Sequence, residues 1–295
     1  MSDWTVIEIL TRTESYFKSH SIESPRLSAE ILLGFCLGIG RVELYLNHDR
    51  PLDGKELAAY RELVRRRAKN EPVAYITGKK GFWEHEFFVA PGVLIPRPDT
   101  ETLLEKALEI LDNSELTQKR PKRILELGCG SGAVIVSLAA ARPGHDCFAA
   151  DVSEKAVSVT RRNSGAILAE NGVFLVQGSW LDPFRKGSLF DMILCNPPYI
   201  RTRDMEALAP QIRDYEPSGA LEAGKDGLDC VREIVGHAGE YLAEGGVMLL
   251  EIGHGQKDEV DRIVRSGYSF EPALFERDLA GHFRVAVIKK KIVNA

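Results

Sequence analysis

Along residues 1–78 apolar side chains recur at helical spacing. Val6, Ile9, Leu10, Tyr16 and Phe17 keep one face of a 3.6-residue period, which predicts a first helix. Pro25-Arg26-Leu27 opens a second through Ile31, Leu32 and Phe35, with Gly38 and Gly40 to stop it. Leu57, Tyr60 and Val64 mark a third, which runs into the basic cluster Arg65–Lys69 and breaks at Glu71-Pro72. Residues 80–95 change character. Phe82-Trp83 and Phe87-Phe88-Val89 flank Glu84-His85-Glu86, the pattern of a short hairpin. Pro91-Gly92 and the Pro96/Pro98 pair then read as a stiff linker. A helix follows from Asp99 or Thr100, either of which suits its N-cap, with Leu103, Leu104, Ala107, Leu108 and Leu111 as its buried stripe.

From residue 122 the pattern alternates between strand and helix. The strands expected are Arg123–Leu127, Asp146–Ala150, Val173–Gln177, Phe190–Cys195, Gly246–Ile252, Tyr268–Phe275 and Phe283–Ile288. Helices are expected around 132–141, 153–168, 229–242 and 256–266. Repeated β-then-α order predicts an α/β fold whose mostly parallel sheet is covered on both faces. The last two strands have no room for a crossover helix between them, so an antiparallel hairpin is expected at one edge. The expected organisation is a helical domain at 1–78, a hairpin and linker at 79–98, and an α/β domain at 99–295.

Composition excludes several classes. The 295 residues are 44% hydrophobic and 27% charged, ordinary globular usage, and the length suits two unequal domains. The longest weakly polar stretches, Ile31–Gly40 and Gly132–Ala141, are about half of a membrane span and contain glycine. Met1-Ser2-Asp3-Trp4 lacks the basic-then-apolar layout of a signal peptide. The five cysteines are scattered, with no CxxC, against a zinc ribbon or a disulfide framework. A cytoplasmic protein with reduced thiols and no bound metal is expected. The net charge of −5 argues against a duplex nucleic acid held through many phosphates. Residues 1–95 carry 13 basic and 13 acidic side chains, so the rest of the chain holds the whole surplus. The neutral part could still meet an anionic partner through Arg65–Lys69. The competing account is a solvated helix end whose cations suit the dipole.

Candidate chemistry begins at Glu126-Leu127-Gly128-Cys129-Gly130-Ser131-Gly132, between a strand and a helix. Glycines at such a turn let the backbone bend sharply and let a ligand approach. The spacing is GxGxG, not the GxGxxG of pyrophosphate loops, and Glu126 places an acid beside it. A carboxylate there suits a cation, and S-adenosylmethionine carries a sulfonium and an ammonium but no phosphate. Asp151 ends the next strand, where a carboxylate can accept both ribose hydroxyls. Ser153 is as good a cap for the helix that follows. Loop and Asp151 together indicate a nucleoside cofactor without by themselves excluding NAD. Trp180 is either an adenine platform or a rim aromatic over the core.

The strand Asp191–Cys195 runs into Asn196-Pro197-Pro198-Tyr199. Two prolines remove two backbone donors and fix φ twice, so the turn is rigid and rich in acceptors. The Asn196 side-chain oxygen and the Pro197 carbonyl can each take one hydrogen of a planar NH2 group, and Tyr199 can stack on its plane. An amide nitrogen is a poor nucleophile because its lone pair is delocalised. Holding both hydrogens raises electron density on it, which is what transfer of a methyl from a sulfonium requires.

The chain resembles the bacterial release-factor glutamine methyltransferases, the PrmC/HemK family. The resemblance rests on Glu71–Gly78, Leu94-Ile95-Pro96-Arg97-Pro98-Asp99-Thr100-Glu101, Glu126–Gly132, Asn196–Ile200 and Asp278–Arg284. It implies a Rossmann-like class I SAM-dependent methyltransferase, with a mostly parallel seven-stranded sheet, behind a small helical domain that helps dock a class I peptide-chain release factor. It implies N5 methylation of the glutamine in that factor's Gly-Gly-Gln motif, leaving S-adenosyl-L-homocysteine. Gly128, Cys129, Gly130, Ser131, Gly132, Asp151, Trp180 and Asn196 would then hold the cofactor. Asn196, Pro197, Pro198 and Tyr199 would hold the glutamine, with Asn196, Pro197 and Tyr199 as the catalytic set. Cys129 departs from the small or hydroxyl residue common there, and is expected to be an inert thiol. The enzyme is expected to be a monomer without stable nucleic-acid or membrane association. The alternative is a DNA or RNA adenine-N6 or cytosine-N4 methyltransferase, which shares the Asn-Pro-Pro-Tyr turn. A third reading, a SAM sensor without turnover, would not need that turn intact.

Overall fold

The computed structural model describes residues 4–113, 120–168, 172–187, 190–267 and 269–292. The chain divides into two compact units, Met1–Lys79 with Ala209–Tyr215, and Lys80–Leu208 with Glu216–Ala295.

The first unit is helical. Helix α1 (Val6–Ser19) starts at a capping box in which Thr5 and Glu8 satisfy each other's backbone N–H groups. Helix α2 (Pro25–Leu37) has proline at its start and ends on Gly38 at φ +67°, as its sequence predicts. Two short helices escape the periodicity, α3 (Arg41–Leu46) and α5 (Val73–Thr77), because six and five residues are too few to show a period. Between them α4 (Gly54–Ala68) is capped by Asp53. Val6, Leu10, Phe17, Leu32, Leu33 and Tyr60 pack into one core. The basic cluster is largely engaged internally. Arg66 makes a bidentate pair with Glu71 at 2.8 and 2.6 Å, and Arg67 is buried, donating to Gln211 at 2.8 Å. By charge alone these cations could meet a partner or form a solvated helix end, but two of them tie this unit together.

The second unit begins with the hairpin β1 (Lys79–Phe82) and β2 (His85–Phe88), whose Phe82 and Phe87 enter a core. The hairpin therefore belongs to this unit rather than to a separate linker. Then come α6 (Glu101–Asp112), β3 (Arg123–Leu127), α7 (Ala133–Ala141), β4 (Asp146–Asp151), α8 (Glu154–Ile167), β5 (Phe174–Gln177) and β6 (Phe190–Cys195). After a long segment containing α9 (Pro210–Arg213), the chain continues as α10 (Asp229–Ala238), β7 (Leu242–Glu251), α11 (Lys257–Ser266), β8 (Leu274–Arg277) and β9 (Phe283–Lys289). Within the 99–295 range, Ala209–Tyr215 group with the helical unit instead. Tyr215 donates its hydroxyl to Lys69 O at 2.7 Å, and Gln211 bonds Glu23 at 2.7 Å.

Among the described residues, seven strands form one sheet in the order β5-β4-β3-β6-β7-β9-β8. The first five in that order pair in parallel, and β9 runs antiparallel to both β7 and β8. Three boundaries differ most from the sequence expectation. Strand β7 starts at Leu242, so α10 stops at Ala238, and β8 starts only at Leu274. Phe270 forms an isolated bridge to Lys290, and Tyr268 lies outside the described residues. Both faces of the sheet are covered, so every residue of β6 is buried. We expect Leu194→Ala, at a fully buried position in β6, to cost about 2–5 kcal/mol. A urea titration followed by circular dichroism reads this as a lower midpoint.

Candidate active site

The register of the parallel strands assembles the site. Leu127 is level with Ala150 on one side and with Cys195 on the other, and Cys195 is level with Leu250. The next residue of each strand therefore leaves at the same edge, giving the row Asp151, Gly128, Asn196, Glu251. The chain runs outward from β3 through β4 to β5, then returns to β6 on the other side of β3. Such a reversal opens a crevice at the carboxyl ends of the strands, the usual place for a ligand.

The glycine turn needs its glycines. Gly128, Gly130 and Gly132 all take positive φ, at +67°, +56° and +77°. A Cβ on Gly132 would fall 2.6 Å from Thr160 Cγ2. The Gly128 and Cys129 N–H groups donate to Ala150 O at 2.8 and 3.1 Å, folding the turn over the end of β4. Asp151 is pinned by Gly130 N–H on Oδ2 and Ser153 N–H on Oδ1, each at 2.9 Å. Ser153 is the cap of α8, accepting Ala156 N–H at 3.3 Å. Burial pushes the Asp151 carboxyl up, with those two N–H bonds opposing it.

Glu126 is buried beneath the turn and accepts Ile135 N–H at 3.0 Å. Burial pushes its carboxyl up to about 8 against that bond, and the nearby Asp151 charge adds to the rise. The Cys129 thiol, 4% exposed, is pushed well above its usual range by burial, which fits an inert thiol.

A cavity of about 320 Å³ opens over this edge. Of the residues singled out in the sequence, Gly128, Cys129, Gly130, Ser131, Asp151, Trp180, Asn196 and Pro198 form its wall. Gly132, Pro197 and Tyr199 do not. Trp180 holds positive φ, +41°, and its indole lies against Gly128, where a Cβ would meet Cζ3 at 3.4 Å. Burial pushes the Tyr199 phenol up. The Tyr199 carbonyl accepts Gln256 Nε2 at 3.3 Å, and Gln256 Oε1 accepts Gly253 N–H at 2.8 Å. Gln256 thus braces the turn from α11's N-terminal end, and no motif in the sequence signals it.

Of the two N-cap candidates, Asp99 and Thr100, Thr100 holds the N-cap position of α6. Its side chain makes no capping bond. Its hydroxyl instead accepts Asn196 Nδ2 at 3.1 Å, and it lines the cavity. The signal was present in the segment Ile95–Glu101, which the resemblance singled out without assigning it chemistry. Arg97 in that segment pairs with the buried Glu216 at 2.5 Å, and Asp99 pairs with Arg284 at 2.9 Å. The Asp278–Arg284 segment is thereby brought to the same edge. Among the described residues no cluster of three or more His, Cys, Asp or Glu could hold a metal ion, and no helix is long and apolar enough to cross a membrane.

A seven-stranded sheet with its last pair antiparallel, a glycine turn after the first parallel strand and an acid ending the next define a Rossmann-like methyltransferase. Residues 8–78 match the PrmC N-terminal domain and residues 102–212 the methyltransferase small domain. The release factor glutamine methyltransferase of Geobacter sulfurreducens is 43% identical over 257 residues, 87% of each chain. That of Chlorobaculum tepidum is 40% identical over 269 residues, 90% of this chain and 91% of its own. A crystal structure of a Pyrococcus furiosus methyltransferase shares the fold at 19% identity and a TM-score of 0.52, covering 78% of this chain and 99% of its own. The chain belongs to the release factor glutamine methyltransferase family.

Gly132→Ala combines a left-handed φ with a clash on Thr160. It should lower stability by about 1–3 kcal/mol, read as a fall in the thermal midpoint.

Proposed function

We propose that this enzyme transfers a methyl group from S-adenosylmethionine to the side-chain amide nitrogen of the glutamine in the Gly-Gly-Gln motif of class I peptide-chain release factors. The observation that carries the reading is that Asn196 and Pro198 line the cavity that Gly128–Ser131 and Asp151 also line. The names of the relatives point to the same substrate.

The residues present fit the cofactor. A Cβ on Gly130 would meet nothing within 4 Å, so the turn leaves open space at its tip. Asp151 would accept the ribose hydroxyls, Trp180 would pack on the adenine, and Gly128–Gly132 would let the backbone approach. Glu126 supplies negative charge for a cation once ionised. Bound there, S-adenosylmethionine supplies an electrophilic methyl on a sulfonium.

Asn196 Oδ1 and the Pro197 carbonyl accept the two amide hydrogens of the glutamine. This counters delocalisation of the nitrogen lone pair and fixes its direction. Tyr199 supports the amide plane from behind the turn. Catalysis is then positioning and electrostatics, the first worth up to roughly 7–11 kcal/mol in ideal cases. The excess proton of the methylated amide leaves to water, so no strong base is needed. Docking of the release factor falls to the helical unit. The enzyme acts in the cytoplasm as a monomer, on a protein substrate, without stable nucleic-acid or membrane association.

Mass spectrometry of a purified release factor after incubation with the enzyme and cofactor should find one methyl on the Gly-Gly-Gln glutamine. Methylation of DNA or RNA with none on the factor would overturn the reading. Asn196→Ala should lower kcat about 10²–10³-fold with little change in cofactor Kd. Asp151→Ala should weaken cofactor binding about 10–100-fold, the loss of charge-assisted hydrogen bonds. A normal Kd in that variant would sink the ribose assignment.

Cofactor affinity should also depend on pH. A bound cation favours ionised Glu126, so binding releases its proton. Affinity therefore rises with pH to about 8, the value to which burial pushes Glu126, and is flat above it. Calorimetric titrations between about pH 6 and 9 read this rise, and Glu126→Gln should remove it.

A further inference from the structure

The turn Asn196-Pro197-Pro198-Tyr199 is rich in acceptors and poor in donors, because its two prolines carry no N–H. It has to be held by a donor from elsewhere, at an acceptor that the substrate does not need. The Gln256 carboxamide supplies that donor. Its Nε2 donates to Tyr199 O at 3.3 Å and to Gly227 O at 3.0 Å, and its Oε1 accepts Gly253 N–H at 2.8 Å. One planar group thus joins the end of the proline turn, the chain entering α10 and the exit of β7.

Glycines make the space around it. A Cβ on Gly227 would fall 2.5 Å from Tyr199 O and 3.0 Å from Gln256 Nε2. A Cβ on Gly253 would fall 2.9 Å from Gln256 Oε1 and 3.1 Å from Tyr199 Cδ2. Gly227 also holds φ +78°, a conformation that favours glycine. Gln256 gives up another task for these contacts. It occupies the N-cap position of α11, yet its side chain makes no capping bond there.

The chemistry admits one kind of group. Two carbonyls and one N–H surround it, so it must offer two donors and one acceptor. A carboxamide has that set. A carboxylate only accepts, and would face two carbonyl oxygens. Asparagine carries the same group on a stem one methylene shorter.

We propose that Gln256 is a positioning residue for methyl transfer, which acts through the Tyr199 carbonyl to fix the direction in which the Asn196–Tyr199 turn presents its acceptors to the substrate amide. This rests on the role given to that turn above. The peptide between Tyr199 and Ile200 is gripped on both sides, its C=O by Gln256 and its N–H by Leu221 O at 2.9 Å. Gln256 is not on the cavity wall, so its effect passes through the turn. Without it the turn keeps its rigid prolines but loses its aim, and a displacement of about 1 Å in a reacting group costs up to about 100-fold in rate.

The test is steady-state kinetics with a purified release factor, at a pH where an introduced carboxylate is ionised, beside calorimetric titration of the cofactor. Gln256→Ala should lower kcat about 10–100-fold, with KM for the factor and cofactor Kd unchanged. Gln256→Glu keeps the shape but offers no donor, and should lose at least as much. Gln256→Met keeps the length without donors or charge, and decides the matter if either of the others does not fold. No methylation of the factor by the wild type would defeat the proposed function itself. With a methylating wild type, wild-type kcat in any folded variant of the three would overturn the positioning role alone. So would a loss carried by KM or cofactor Kd instead of kcat, and failure of all three to fold would make Gln256 a structural residue only.

Discussion

The in-register parallel ladder of β4, β3, β6 and β7 is the constraint on which the site depends. Hydrogen bonding fixes Leu127 level with both Ala150 and Cys195, and Cys195 level with Leu250. Four residues distant in sequence, Asp151, Gly128, Asn196 and Glu251, therefore leave one edge of the sheet together. A one-residue slip of β6 would reverse every side chain of a strand buried on both faces, so packing enforces the register strongly. The site inherits its precision from the core.

That edge gathers three carboxyl groups, Glu126, Asp151 and Glu251, and burial raises all three. Each has a backbone N–H or a hydroxyl to oppose the rise, yet none has a cationic partner within ion-pair distance among the described residues. Glu126 and Glu251, pushed up to about 8 and about 7, are poised to change charge near neutrality, which structural ion pairs on a surface are not. Glu30 in the helical unit is the contrast. It is as buried, but Tyr45, Arg26 and Arg41 bond it and hold its carboxyl below the usual range. The same residue type is structural in one unit and titratable in the other because its neighbours differ.

The motifs were legible, but the braces were not. Asn196-Pro197-Pro198-Tyr199 could be read as an array of acceptors from the chemistry of proline alone. What holds it came from elsewhere: Gln256 on the Tyr199 carbonyl and Thr100 on the Asn196 amide. By sequence either Asp99 or Thr100 suits the cap of the helix that follows, because both side chains commonly cap helices. The Thr100 hydroxyl was taken instead by a side chain 96 residues away, a tertiary contact that local rules do not see. Arg66 and Arg67 repeat the lesson, since a run of cations in sequence says nothing about which of them find partners.

The sequence alone determined the alternation that makes a parallel sheet, and the residue types of the glycine turn and the proline turn. These are local properties, carried by periodicity, by φ restrictions and by composition. It also carried the family resemblance, through segments whose chemistry it did not explain. Only the tertiary structure decided that Ile95–Glu101 and Asp278–Arg284 meet, through Asp99 and Arg284, and that Thr100 faces Asn196 rather than its own helix. It alone decided which buried acids lack a cationic partner and are therefore pushed up, as Glu126 and Glu251 are and Glu30 is not. The physical reason is that burial and partner choice are set by contacts between residues distant in the chain, fixed only once the sheet has chosen its register.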